Sequence, residues 1–525
     1  TWGYHHGGVP YTRPRILPDA RPCCDAGLAR MVRTYAMETA TRTRHRSGTE
    51  PAPAGTPPWS SPSRLAAAAL ALLALLALVA FFVYPTYPNY DSYYSLLWGR
   101  ELLDGQKPSF DAYRAPTQHP LAVFFGAGLS LLGDGADRVM IAATFSSFVI
   151  LAAGLYRLGR IAFTPAVGLV AAVLLCTRFD FPFLAARGYI DVAYLAAVIW
   201  AAALEAERPR RGIPVLVLLA LASLMRPEAW LLAGAYFLWM FPGASWGRRA
   251  IYGVLTWTGT AIWVALDFWA TGDPLFSLTH TSGLAEELGR QRPVAEVPGL
   301  AVQYLAELAK PPVLLLGLGG LALAALAVPR RLAVPFALFA LGLGTFLLVG
   351  LAGLSVIDRY LLAPSLMLMV FAAVALAGWS MLEPGRVRSA WTVAAALLTV
   401  AAVAFTATRL NLDTFDTDLR YRGEAHVSLE QVLAAPAVRR GLACGPVSVP
   451  SHKLVPDTRW ILDAGVGDVV ARADPDAAGA LGTGVAIYVT NRIALLRQAL
   501  VEDTDDPLDS VPMAGYVRVA TSAYY

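Results

Sequence analysis

The chain has little charge. Charged side chains make up only 15% of its 525 residues, whereas soluble globular proteins carry about 25%. This shortfall argues against a soluble enzyme, a nucleic-acid-binding protein and a disordered protein. Lysine is nearly absent, since all but three of the 42 basic residues are arginine. That bias suggests a GC-rich genome and carries no chemistry. The net charge of +4 is too small to indicate a polyanionic partner.

Cysteine is also scarce, with four residues in the whole chain. Cys23 and Cys24 are adjacent near the start, Cys176 lies in an apolar run, and Cys444 stands alone near the end. This spacing matches neither a zinc site nor a disulfide framework.

Apolar residues are abundant, at 56% of the chain. A helix needs about 20 mostly apolar residues to cross a bilayer. The sequence predicts eleven such spans, near 65–84, 138–158, 161–177, 191–206, 213–226, 228–242, 250–269, 312–328, 333–353, 361–382 and 390–407. A twelfth apolar piece, 119–132, is short and predicts a helix lying at the interface. A single kinked helix in place of the short spans 213–226 and 228–242 stays open.

The arginines predict the orientation of these spans. Short loops on the cytoplasmic side carry an excess of basic residues. With an Arg-rich N-terminus inside, every second loop holds at least two arginines: Arg157/Arg160, Arg208/Arg210/Arg211, Arg248/Arg249, Arg330/Arg331 and Arg386/Arg388. Eleven spans therefore place the N-terminus in the cytoplasm and the C-terminus outside.

Composition divides the chain into three parts. Residues 1–60 are rich in Arg, Pro, Thr and Ser and predict a disordered cytoplasmic tail. Residues 61–407 form the membrane domain, with long outer loops at 85–137 and 268–311. Residues 408–525 regain charge and predict a small extracytoplasmic α/β domain, with a helix from Ser428 to about Leu442, short β runs at 446–449, 485–489 and 516–520, and a helix near 491–502. The fold class is thus an all-α polytopic membrane protein with a small C-terminal α/β domain.

Ionisable residues near the hydrocarbon are the informative ones in a membrane protein. Acids, arginines and histidines gather at the predicted outer boundaries of the spans, with one tyrosine beside them. They are Asp91, Asp111, His119, Arg187, Asp191, Arg226, Glu228, His280, Arg359 and Tyr360. A carboxylate there could act as a general base, and an arginine could hold a phosphate through two hydrogen bonds. Simpler alternatives are an Arg226–Glu228 ion pair at a helix break and a polar loop role for His280. Asp91, set among tyrosines, has no obvious structural partner.

This order of features resembles the GT-C membrane glycosyltransferases over roughly residues 65–385. The branch with protein O-mannosyltransferases and the lipid A aminoarabinose transferase is the most similar, in a bacterial and specifically actinobacterial setting. The resemblance rests on Asn89-Tyr90-Asp91-Ser92 after the first span, on Gln118-His119-Pro120-Leu121, on Asp191 opening a later span, and on Arg359-Tyr360 five and four residues before Pro364. Ser92 stands where family members often have a second acid. Some family members place an acid that helps to hold a metal just before this motif, and Thr117 and Gln118 offer none. No metal ligand is therefore assigned, although a divalent metal stays possible.

The resemblance implies an inverting transfer of a sugar from a polyprenyl-phosphate donor to an extracytoplasmic glycan, lipid or protein acceptor, at the outer face of a bacterial cytoplasmic membrane. Asp91 would be the general base, with Asp111 as a second catalytic carboxylate. Substrate binding would fall to Arg226 and Arg359 at the phosphate, to Arg187, and to Asp191, His119, Glu228, Tyr360 and His280. A lipid or glycan transporter or flippase, a lipid-carrier-dependent polymerase or ligase, and a catalytically inactive scaffold remain alternatives. The sugar, acceptor and prenyl length are open.

Overall fold

The computed structural model describes residues 62–287, 289–409, 411–491 and 514–525, so the predicted tail and most of the predicted helix at 491–502 lie outside the described residues. The described part is mainly helical. Its first helices are α1 (Pro62–Val83), α2 (Tyr90–Leu103), α3 (Pro120–Ser130), α4 (Ala136–Ala162), α5 (Pro165–Thr177), α6 (Asp180–Ala186), α7 (Asp191–Glu207), α8 (Ile213–Ser223), α9 (Glu228–Met240) and α10 (Trp246–Thr271). They are followed by α11 (Phe276–Glu287), α12 (Val297–Ala309), α13 (Pro311–Ala327), α14 (Pro329–Leu351), α15 (Leu362–Ala377), α16 (Arg386–Arg409), α17 (Leu412–Ala434), α18 (Pro436–Gly441) and α19 (Val455–Leu462).

The helices identify a multi-pass helical membrane protein. Within the described residues, six helices are long and apolar enough to cross a bilayer, or up to eight if two bent helix pairs each count as one span. The bent pairs are α5 with α6, at 62°, and α12 with α13, at 106°. All eleven predicted stretches are helical. The prediction of eleven spans is not confirmed, because α7, α8 and α9 are too short to pass as spans alone.

Helix α15 forms the centre of the bundle. It is apolar on every side, as expected of a helix that packs against neighbours all round, and nearly all of its residues are buried. Two glycines of α13 allow close contact. A Cβ on Gly320 would lie 1.8 Å from the Phe371 carbonyl oxygen, and one on Gly317 would lie 2.9 Å from that of Leu368. Helices α1 and α16, by contrast, bury almost none of their surface and lie at the periphery.

Helices α2 and α3 form a tight pair within the loop 85–137. A Cβ on Gly126 would lie 2.3 Å from the Ser95 carbonyl oxygen, and one on Gly99 would lie 2.2 Å from the Ala127 nitrogen. The two helices therefore meet backbone to backbone at glycine positions. Helix α3 has only 11 residues, or about 16 Å at 1.5 Å per residue, so it is too short to span a bilayer.

The two ends of the bundle carry different side chains. Asp191 opens α7 and Glu207 closes it, so the two lie at opposite ends of a 17-residue helix, about 24 Å apart. At the Glu207 end, the carboxylate accepts hydrogen bonds from Arg157 and Arg211, both at 2.8 Å. Arg157 and Arg211, which belong to two of the arginine-rich loops, thus lie at the end of α7 away from Asp191.

The C-terminal segment combines helices with a small parallel sheet. Its strands are β1 (Val447–Val449), β2 (Val469–Ala471) and β3 (Val485–Ala486), with β1 in the middle. Val447 pairs with both Val469 and Val485. Two local predictions are wrong: Ser428 lies inside α17 and does not begin a helix, and residues 516–520 form no strand.

The C-terminal segment packs directly on α2. Arg459 of α19 donates to the Glu101 carboxylate at 2.8 Å, and both side chains are buried. Arg422 of α17 donates to the Pro88 carbonyl oxygen, just before α2, at 2.6 and 2.9 Å. The segment therefore belongs to the same compact unit as the membrane helices, and it holds α2 near both ends.

Candidate functional site

A cavity of about 860 Å³ opens between the start of α2, the breaks before α7 and α9, the segment after α14 and the C-terminal segment. Its volume falls in the range typical of small-molecule sites. Six basic and three acidic side chains line it: Arg187, Arg226, Arg290, Arg359, Arg422 and Lys453, with Asp91, Glu228 and Asp457. Aromatic and aliphatic side chains, including Trp230, Trp263, Leu231, Leu278 and Leu348, form the rest of the wall.

Five charged side chains form a continuous row along one wall, which we call the carboxylate–arginine ladder. It runs from Asp91 to Arg359, Asp191, Arg226 and Glu228. Arg359 contacts Asp91 at 3.4 Å and Asp191 at 2.9 Å. Arg226 contacts the other Asp191 oxygen, and it donates to Glu228 at 2.7 and 3.0 Å. Four separate chain segments thus meet at one row of charges.

The ladder carries more negative than positive charge, with three carboxylates against two guanidinium groups. Asp191 is fully buried and Arg226 is only 5% exposed, so these charges are compensated mainly by one another. Both arginines that the sequence assigns to a phosphate are therefore already paired with carboxylates. An incoming phosphate would have to compete with Asp91, Asp191 and Glu228 for them.

Asp91 lies in the first turn of α2, and the start of this helix is fixed by several hydrogen bonds. The Asn89 side-chain oxygen caps the helix by accepting a hydrogen bond from the Ser92 backbone amide at 3.1 Å. The Asn89 backbone amide donates to the Arg187 carbonyl oxygen at 2.8 Å. The Ser92 hydroxyl donates to the Gly188 carbonyl oxygen at 2.6 Å. Burial raises the pKa of Asp91 above its ordinary value, and the positive charge of Arg359 opposes that rise. Asp91 is thus a rigidly placed carboxylate with more basic character than an exposed one.

His119 lies at the same cavity as a neutral imidazole. Burial and the neighbouring Arg226 lower the pKa of His119 to about 3. Its ring meets Trp263 edge-on at 5.9 Å, and its Nδ1 has no hydrogen-bond partner. The ring also donates a hydrogen bond to the Met225 backbone, so the free Nδ1 of the neutral imidazole can accept a hydrogen bond from a ligand.

Arg187 and Tyr360 also line the cavity. Arg187 donates to the Asp418 carbonyl oxygen at 3.2 Å and so contacts the C-terminal segment. The Tyr360 ring lies 5.3 Å from the guanidinium carbon of Arg226. Tyr360 thus borders the ladder, whereas Arg187 lies where the cavity meets the C-terminal segment.

Asp111 and His280, by contrast, do not line the cavity. The Asp111 side chain is exposed. The His280 Nε2 contacts the Ala115 carbonyl oxygen at 3.0 Å, and its ring stacks on Phe276. Of the ten predicted site residues, these two are the ones that neither line the cavity nor belong to the ladder.

Several cavity residues were not predicted as site residues. Tyr421, Arg422, His452, Lys453 and Asp457 come from the C-terminal segment, which carries no recognisable motif, and Arg290 comes from the loop after α11. The sequence offered only the concentration of charge in these regions. In the described parts of the chain, no group of three or more His, Cys, Asp or Glu side chains is arranged to hold a metal ion.

No protein-family model and no curated protein matches the chain. Among solved structures, it is similar to the apo form of the Archaeoglobus fulgidus oligosaccharyltransferase, with a TM-score of 0.46 and 12% identity over 81% of this chain and 65% of that one. It is also similar to that oligosaccharyltransferase tethered to an acceptor peptide containing the NVT sequon, with a TM-score of 0.47 and 12% identity over 80% and 65% of the two chains. The matched region is thus less than two thirds of the archaeal enzyme.

Proposed function

We propose that this protein is a GT-C-type membrane glycosyltransferase that moves a sugar from a polyprenyl-phosphate donor to an extracytoplasmic acceptor, with inversion and with Asp91 as the general base. One observation carries the proposal: a fixed carboxylate, Asp91, stands at the wall of a large cavity that has both a charged and an apolar lining.

The apolar side of the cavity suits an amphiphilic donor. Leu231, Leu278 and Leu348 line it, yet they are 43%, 39% and 52% exposed. Exposed apolar groups of this kind mark ligand grooves or membrane contacts. A prenyl chain could lie along them while the polar head faces the ladder. A ligand of this type accounts for both linings at once.

The chemistry needs only one protein base. An Asp91 oxygen takes the proton of the acceptor hydroxyl as that oxygen attacks the anomeric carbon. The new carbon–oxygen bond forms opposite the bond to the phosphate oxygen, which breaks and leaves both electrons on an already ionised phosphate. Arg359 is a positioning residue that holds the Asp91 carboxylate, and buried Asp191 in turn holds Arg359 and Arg226. His119, Glu228 and Tyr360, which line the cavity, shape the place of the sugar.

The residues beside Asp91 do not favour a divalent metal. Such ions prefer several oxygen ligands. Here the Asp91 carboxylate shares Arg359, and the neighbouring Ser92 hydroxyl is engaged with Gly188. We therefore assign no step to a metal.

The reaction is tested by incubating purified full-length protein with polyprenyl-phosphate mannose, arabinose or glucose and a set of hydroxyl acceptors. We expect one donor to be consumed, and NMR of the product to show the opposite anomeric configuration from the donor. Retention of configuration would overturn the inverting mechanism. Consumption of no donor would overturn the donor class.

We place the cavity and residues 408–525 on the outer face of a bacterial cytoplasmic membrane, with the N-terminus inside. In a cysteine-free background, Glu430→Cys should react with an impermeant maleimide in intact spheroplasts. Arg208→Cys should react only after permeabilisation. Both positions are exposed in the structure, so labelling reports the side of the membrane. The reverse pattern would contradict this orientation.

A further inference from the structure

Helix α17 of the C-terminal segment lies directly against the short stretch of chain that joins α1 to α2. A Cβ on Gly423 would lie 1.8 Å from the Pro85 carbonyl oxygen, so the close approach leaves no room for a side chain at position 423. One turn further along α17, the His426 ring stacks on Tyr87 with the ring centroids 3.7 Å apart. Helix α17 therefore follows residues 85–88 closely as they lead into α2.

Arg422, the residue before this glycine, fixes the last peptide group ahead of α2. Its Nε and Nη2 both donate to the Pro88 carbonyl oxygen, at 2.9 and 2.6 Å. Proline has no backbone N–H, so this oxygen is the only backbone hydrogen-bonding group of Pro88. On the other side of the same peptide group, the Asn89 amide donates to the Arg187 carbonyl oxygen at 2.8 Å. Both polar atoms of the peptide group are thus held.

The Arg422 guanidinium group is itself held in place. Its Nη2 also donates to the Asp457 carboxylate of α19 at 2.5 Å, and the two side chains are only 11% and 3% exposed. Its guanidinium carbon lies 5.6 Å from the centroid of the Tyr93 ring of α2. Although Arg422 lines the cavity, these contacts join α17 and α19 to the start of α2.

The position of Asp91 depends on the same peptide group. Asp91 lies two residues after Asn89, in the first turn of α2, and Asn89 is the cap of that helix. The Asp91 carboxylate contacts Arg359 at 3.4 Å, which is longer than an ordinary hydrogen bond. Because this side-chain contact is long, the backbone at the start of α2 contributes most to placing the carboxylate.

We propose that Arg422 and Gly423 are positioning residues that hold the start of α2, and with it the Asp91 carboxylate, in the geometry that transfer needs. We call their contact with Pro85 and Pro88 the α17 clamp. The benefit to catalysis rests on the proposed function, whereas the rigidity of the turn does not. A misplacement of about 1 Å at a reacting group can lower the rate about 100-fold. Loosening the clamp should therefore lower kcat and leave donor binding intact.

Rigidity is tested by hydrogen–deuterium exchange of the full chain in detergent micelles, with mass spectrometry of the backbone amides at 89–94. Arg422→Gln removes the charged donors. Gly423→Ala changes no charge or side-chain hydrogen bond, so it tests the clamp even if Arg422→Gln destabilises the protein by leaving buried Asp457 without its arginine. Arg420→Gln is the matched control, because Arg420 is an exposed arginine of the same helix that pairs with Asp416 at 2.9 Å and does not line the cavity.

Arg422→Gln should raise the exchange rate at 89–94 by about 10- to 100-fold, the range for losing a hydrogen bond to a charged group, and Gly423→Ala should raise it as well. Local opening leaves the rest of a fold protected, so the amides of α15 should keep their wild-type rates. Arg420→Gln should match the wild type in both regions. Wild-type exchange at 89–94 in both Arg422→Gln and Gly423→Ala would overturn the clamp, and so would an equal rise in α15.

The effect on catalysis is measured with the polyprenyl-phosphate sugar that the wild type consumes. Arg422→Gln and Gly423→Ala should lower kcat by about 10- to 100-fold with the donor KM unchanged, and Arg420→Gln should keep both constants. A raised donor KM with unchanged kcat in Arg422→Gln would show that this arginine binds the donor, and would overturn its positioning role.

The clamp and the transferase can fail separately. Faster exchange at 89–94 in Arg422→Gln and Gly423→Ala, in a protein that transfers no sugar, would retain the clamp and overturn the transferase. Sugar transfer with wild-type exchange and wild-type kcat in both variants would retain the transferase and overturn the clamp.

Discussion

Replacing Asp191 with asparagine should strongly destabilise the fold, because Asp191 joins the two arginines of the ladder. It is fully buried and accepts hydrogen bonds from Arg226 and Arg359 through different oxygens. Without its charge, Arg226 keeps only Glu228 and Arg359 keeps only Asp91, at 3.4 Å. Removing one partner of a buried ion pair typically costs about 3–5 kcal/mol. We expect Asp191→Asn to lose stability in that range.

The assay is equilibrium unfolding of the full chain in mixed micelles, with Asp134→Asn as the control. Asp134 is exposed, and exposed substitutions usually change stability by no more than about 0.5 kcal/mol. A double-mutant cycle that combines Asp191→Asn with Arg226→Met measures the coupling free energy between these two side chains, apart from the effect of each substitution on the rest of the ladder. The two changes should couple by about 1–3 kcal/mol, as contacting residues do. A cost below about 1 kcal/mol for Asp191→Asn, or strict additivity in the cycle, would refute the ladder as a coupled unit.

Two further predictions concern the contact between the C-terminal segment and α2. Arg459→Met should lower the melting temperature, because it leaves the buried Glu101 carboxylate with only Ser109 as a donor; a wild-type melting curve would contradict this. Burial lowers the pKa of His426, but hydrogen bonds to the carboxylates of Asp457 and Glu430 outweigh the effect of burial. The pKa of His426 is therefore raised above 6.5. The stability from charged His426 is therefore complete below about pH 6.5 and is lost as pH rises through the folded pKa. The melting-temperature advantage of wild type over His426→Gln should shrink between about pH 6 and pH 9, and a constant or growing advantage would be evidence against the charged pair.

Helix positions could be predicted from the sequence because apolar runs of 14 to 22 residues have few alternatives to a helix in a membrane. Span number could not, since α8 and α9 break at Arg226-Pro227-Glu228 and each falls short of a bilayer. The break itself is where the charges of the ladder lie. Charged residues that interrupt the apolar runs thus predict the position of the site better than they predict the number of spans.

The site could be predicted in part. Asp91, Asp191, Arg226, Glu228 and Arg359 stand out as ionisable groups at the ends of apolar stretches, and they meet in the structure. Their mutual pairing was not predictable, because it depends on how four separate segments of the chain pack together.

The contribution of the C-terminal segment was hidden for a different reason. His452 and Lys453 lie in a short turn that resembles any polar loop in sequence, and only the packing of α17 and α19 on α2 brings them to the cavity. Asp111 shows the converse case. It is close to Asp91 in the same loop, but the turn at 109–114 leaves it exposed and away from the cavity.

Asp91 as the base is tested most directly by comparing sugar transfer by Asp91→Asn and Asp111→Asn with that by the wild-type protein, using whichever polyprenyl-phosphate sugar the wild type consumes. Each variant keeps the size of the side chain and removes its ability to take a proton. Asp91→Asn should reduce turnover by about 10²- to 10⁴-fold, the typical contribution of a general base, while the protein level and donor binding persist. Asp111→Asn should retain near-normal turnover. Near-normal transfer by Asp91→Asn, or loss of transfer in Asp111→Asn alone, would contradict Asp91 as the base.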